Sequence, residues 1–116
     1  RLKRFQVEEK RRQVGQIELM IEEFSRMIAD LEYEIAAEHR RTGIEDEKHF
    51  AYSTFARAAR KRRDNLNTSI ADLRSQLEAA RAGLDLSERE LAQEEERLDR
   101  EASRDVGRVP AGHAAG

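Results

Sequence analysis

Cysteine is absent from this chain, which removes disulfides, thiolate nucleophiles and thiolate metal sites and fits a reducing compartment. Tryptophan is absent too, and aromatic residues make up 5% of the 116. That is too little bulk for a globular core and enough for a narrow two-helix seam. The one proline, Pro110, lies near the end, so nothing before it need interrupt a helix. No apolar run approaches the roughly 20 residues of a membrane span. No secretory signal pattern is visible, and a chain that begins at Arg1 leaves open what precedes it. Neither sign of charge dominates: 22 Lys and Arg stand against 24 Asp and Glu, a formal net charge of −2, so bulk electrostatics favour no partner. There is no glycine-rich phosphate loop and no nucleophile beside a base. No enzyme, cofactor or metal is expected, and function is to be sought in partners.

What is present is heptad spacing, in a chain of which 40% is charged. One seam reads Val7, Val14, Ile21, Ile28, Ile35, with Lys10, Ile17, Phe24, Leu31 and Glu38 three residues further on. A second reads Ala56, Arg63, Ile70, Leu77, Leu84, Leu91, Leu98, interleaved with Tyr52, Ala59, Leu66, Leu73, Ala80, Ser87 and Glu94. Apolar steps of three and four make the stripe of a coiled coil. The spacing predicts one helix over about 1–41, a bend over about 42–50, a second helix over about 51–104, and a disordered glycine- and alanine-rich tail over 105–116. Arg40 and Arg41 suit the negative end of the first helix, and Gly43 suits its closure. Ser53 or Asp46 would cap the second.

The two seams match each other. Folded antiparallel about Glu47, they put Ile35 opposite Ala59, Ile28 opposite Leu66, Phe24 opposite Ile70, Ile21 opposite Leu73, Ile17 opposite Leu77 and Val14 opposite Ala80. On the flanks Glu32 would face Arg60 and Glu34 would face Arg62, while Arg11 against Arg81 is a mismatch. The expected fold is all-α, a long antiparallel two-helix coiled-coil hairpin forming a single domain. Towards the open end Lys10 would face Leu84 and Val7 would face Ser87, leaving Leu91 and Leu98 with little to cover them. Such leucines suit a docking partner, further chain or a second copy.

Several clusters invite chemistry, each with a plainer reading beside it. His39 and His49 flank the bend, but two histidines without a fixed carboxylate make a weak metal site and are expected at the surface. Glu45, Asp46 and Glu47 form an acidic tip, of the kind that could carry a metal into another enzyme's active site. A solvated loop is the plainer and preferred reading. Arg57, Arg60, Lys61, Arg62 and Arg63 concentrate positive charge, yet no groove-reading motif accompanies them, so an acidic protein surface suits them better than nucleic acid. Phe50, Tyr52 and Phe55 gather three of the six aromatics beside the bend. Tyr52 falls on the seam as a plug or an anchor; Phe55 falls beside it, where an aromatic on a rigid helix start is a good binding anchor.

With these residues in view, the chain resembles the FliJ family, the small coiled-coil component of bacterial flagellar type III export. Three stretches carry the likeness: RLKRFQVEEKRRQV at the start, HFAYSTFARAA at the head of the second helix, and the RRDNL and IADLRSQL runs behind it. The spacing of Tyr52 and Phe55 after the bend weighs most. The resemblance implies an antiparallel coiled coil similar to the γ-subunit stalk of rotary ATPases. It implies binding to the hexameric export ATPase and to the cytoplasmic domain of the membrane export gate, and a part in escorting export chaperones. It places the protein in the cytoplasm, peripheral to the inner face of the cell membrane at the flagellar base. By position it assigns gate contact to Tyr52, Phe55 and Ala59. Leu66 stands where some members have a histidine, which weakens the outer part of that surface. By analogy with a stalk in a ring, Leu2, Phe5, Leu91 and Leu98 would face the ATPase. Two other readings stand beside this one: a regulator inserting its acidic tip into RNA polymerase, and a structural dimer paired through the open-end leucines.

Overall fold

A computed structural model describes the backbone of residues 1–115 and the side chains of residues 1–107. The chain is all-α, a hairpin of two long helices. α1 runs Leu2–Thr42 and α2 runs Thr54–Ala115. Alanine, leucine, glutamate, arginine and lysine fill both, and these residues lose little side-chain freedom in a helix. α1 ends where its chemistry says it should. His39, Arg40 and Arg41 sit in its last turn, where the charge of the two arginines meets the negative end of the helix dipole. Gly43 follows at φ 72°, its amide bonding the His39 carbonyl at 2.8 Å, the left-handed closure glycine permits.

α2 begins later than the spacing predicts. Residues 44–53 form a bend held by its own polar groups rather than a first helical turn. Asp46 Oδ1 accepts the Lys48 amide at 2.9 Å and His49 Nδ1 accepts the Ala51 amide at 2.9 Å. The His49 amide bonds the Asp46 carbonyl and the Tyr52 amide the His49 carbonyl, each at 3.0 Å. Side chains that capture nearby amides in this way compete with helix formation. Ser53 then caps α2, its Oγ accepting the Ala56 amide at 3.1 Å; Asp46 does not. Tyr52 therefore lies in the bend and not on the helix. At the other end α2 runs on past Arg104. Residues 105–107 continue it as exposed helix. The remainder of the expected tail lies outside the residues whose side chains are described.

The chain divides into two compact units, Val14–Ala79 and Arg1–Gln13 with Ala80–Gly116. In the first, Ile28, Leu31, Ile35, Ala56, Ala59, Ile70, Leu73 and Leu77 are buried. Ile35 and Ala59, an expected facing pair, share a cluster with Leu31, and Leu66 packs against it. In the second, Val7 and Ser87 are buried and Leu84 and Leu91 half-buried. Salt bridges from Lys3 to Glu90 at 3.7 Å, Arg4 to Glu95 at 2.8 Å and Arg11 to Glu88 at 3.0 Å bind its two helical pieces along the rim. The expected repulsion at Arg11 is thus replaced by an attraction, because its long stem carries the guanidinium along the rim to Glu88. Leu91 is half-buried, better covered than expected.

Candidate functional site

The bend concentrates the polar structure of the Val14–Ala79 unit. Tyr52 is 5% exposed. Its hydroxyl lies 2.7 Å from His39 Nε2, and the rings are tilted at 60° with centroids 5.5 Å apart. The Arg60 guanidinium also donates to that hydroxyl, the main cause of its raised pKa. Arg57 lies over the Tyr52 ring at 5.3 Å and donates to the Glu47 carbonyl at 3.0 Å. Arg60 pairs with the Glu47 carboxylate at 3.2 Å. It therefore does not take the Glu32 that the register suggested, because the bend brings Glu47 and Tyr52 to it first.

A second knot joins the end of α1 to the start of α2. Glu38 accepts from Arg41 Nε at 2.6 Å and from Ser53 Oγ at 2.5 Å. These two bonds, Arg41 first, hold its pKa at about 2, below the ordinary 4.5. One hydroxyl thus ties the helices together and caps one of them.

Against this frame the expected site residues separate. Tyr52 and Ala59 face inward, Ala59 at 6% exposure within the core cluster. Neither offers a side chain to a partner, which corrects their placement on a gate surface. The period of the seam required this of Ala59 already. Phe55 is 55% exposed and Phe50 97%, with Phe50 stacked on His49 at 4.8 Å and 22°. Phe55 stands on the first turn of a capped helix, and Phe50 is the neighbour that the reading by position missed. Its signal in the sequence was an aromatic off the seam. Of the acidic tip, Glu47 is held by Arg60 and Asp46 by the Lys48 amide. Of the basic run, Arg57 and Arg60 are engaged with the bend, and Arg63 pairs with Asp64 at 2.9 Å. His39 and His49 serve separate bonds, and no group of three metal-ligating side chains occurs among the described residues.

In the other unit Leu2, Phe5 and Leu98 are exposed while Leu91 is half-buried. Three of the four residues expected to face an ATPase are thus open to a partner. Among the described residues no helix is long and apolar enough to cross a membrane. Compared with family models, curated proteins and solved structures, the chain matches none.

Proposed function

We propose that this chain is a non-enzymatic component of flagellar type III protein export, of the kind its sequence resembles in the FliJ family. It binds the hexameric export ATPase through Leu2, Phe5 and Leu98, and the cytoplasmic domain of the export gate through the bend. It helps couple energy to the secretion of flagellar subunits and engages export chaperones. It works in the cytoplasm at the flagellar base and reaches the membrane through its partners alone. The observation that carries this reading is Phe55, an exposed aromatic on a helix start that Ser53 caps and the Tyr52 plug braces. An anchor of that kind is preorganised, so little ordering opposes binding. The polymerase-regulator reading needs tip carboxylates free to hold a metal, and two of the three are already engaged.

The test is capture of the export-gate cytoplasmic domain by the full chain and by Phe55→Ala, with swimming motility scored alongside. Loss of capture and of motility, with helicity unchanged, is the expected result. Undiminished capture removes the gate assignment. Intact motility after deletion of the gene removes the export reading altogether.

A further inference from the structure

The five cations between Arg57 and Arg63 look alike in the sequence and separate in the structure. Arg60 is neutralised by Glu47 at 3.2 Å and Arg63 by Asp64 at 2.9 Å. Arg57, Lys61 and Arg62 enter no ion pair with any described residue. Arg62 lines a groove together with Asp30 and Glu34 of α1, so acids already stand near it. Arg57 and Lys61 line a different one, an open groove of about 490 Å³ along the start of α2. The acids of that groove are Glu47 and Asp64, the two that Arg60 and Arg63 already hold. It therefore presents two exposed cations with no counter-charge.

Arg57 is fixed as well as unpaired. Its guanidinium lies over the Tyr52 ring at 5.3 Å and donates from Nη2 to the Glu47 carbonyl at 3.0 Å. That bond spends one of several N–H donors, and a carbonyl leaves the positive charge unbalanced. Lys61 follows one turn on, about 6 Å along the axis, and like charges at that spacing repel. Thr54 and Ala58, both small and exposed, line the same groove and leave room beside the two cations. An anion seated between Arg57 and Lys61 relieves the repulsion and meets a guanidinium that is already oriented. Carboxylates four residues apart on a helix, or two apart on an extended chain, have the same spacing of about 6 Å. A nucleic-acid backbone suits the groove less well. Its phosphates would continue past both cations, towards Glu45 and Asp46 of the bend on one side and Asp64 on the other.

We propose that this groove docks an acidic segment of a protein partner, with neighbouring carboxylates of that segment paired to Arg57 and Lys61. Phe55 does not line it and stands about 200° round α2 from Arg57. The groove is thus a contact surface separate from the aromatic anchor, and it does not depend on the export reading. Binding between opposite charges at an open surface is fast and salt-sensitive.

Titration of the isotope-labelled full chain with a hexaglutamate peptide, followed by NMR, tests it. A salt concentration of about 0.1 M holds the screening length near about 10 Å, so that distant charges count for little. The expected result is saturable shifts concentrated at Thr54, Arg57, Ala58 and Lys61. Lys61→Gln breaks no ion pair within the chain and should weaken the peptide about threefold. Lys61→Gln combined with Arg57→Gln should weaken it about tenfold. Arg62→Gln makes the same change of charge outside the groove and should leave the affinity nearly as it was. Circular dichroism confirms that each variant stays helical. Absence of saturable shifts at these residues overturns the proposal. So does an equal loss from Lys61→Gln and Arg62→Gln, because the peptide would then read net charge and not this groove. A single-stranded DNA hexamer that shifts the same residues and binds more tightly than the peptide would also overturn it, giving the groove to nucleic acid.

Discussion

Removing one oxygen at the bend, Tyr52→Phe, measures how much of the hairpin's stability lies in its polar lock. The ring stays buried, so apolar packing is unchanged. The hydroxyl takes with it the bond to His39 at 2.7 Å and the one it accepts from Arg60. The first is worth about 1 kcal/mol net, as an ordinary bond at a half-buried site. A bond from a guanidinium is worth more when desolvated, but the Arg60 side chain is 30% exposed and keeps Glu47 at 3.2 Å. Water and that carboxylate replace most of the loss, leaving somewhat under 1 kcal/mol. The expected cost of Tyr52→Phe is therefore about 1.5 kcal/mol. Tyr52→Ala should cost about 3–5 kcal/mol, since it also empties the space the ring fills.

Urea denaturation followed by circular dichroism supplies both values, with an unchanged slope as the sign that the unfolded state is unaffected. A double-mutant cycle with His39→Ala isolates the shared bond and should show about 1 kcal/mol of coupling. A Tyr52→Phe variant within about 0.3 kcal/mol of the parent, together with zero coupling, would refute the reasoning. Tyr52 would then be an apolar plug whose hydroxyl adds nothing.

Two further perturbations follow from the ends of the helices. Gly43→Ala should destabilise by about 1 kcal/mol although its new methyl meets nothing within 4 Å, because φ is 72° there. Gly15→Ala, equally unobstructed but inside α1, should stabilise by up to about 1 kcal/mol; equal signs in thermal melts would overturn the backbone account. Glu38, held near a pKa of about 2 against 4.5 when unperturbed, contributes stability that is fully present above about pH 4.5 and is lost as pH falls towards about 2. Glu38→Gln should flatten the acid limb of the stability curve in that window, and an unchanged limb would show that the knot with Arg41 and Ser53 does not operate in solution.

The hairpin is legible in the sequence because its rule is local and repeated. A heptad seam declares itself at every turn, and Gly43 and Ser53 mark ends by chemistry that needs no distant partner. What escapes such reading depends on which of several competing partners a group chooses. Tyr52 keeps the seam's period but sits outside the helix, because Asp46 and His49 take the amides that a first turn would need. An aspartate two residues before a free amide is a turn signal in its own right. Arg60 prefers the bend to Glu32, and Arg11 prefers Glu88, since long cationic side chains can reach several carboxylates and energy differences among rim pairs are small. Ala59 shows the opposite case. The period of the seam placed it inside and the family resemblance placed it on a surface, and the structure keeps it inside.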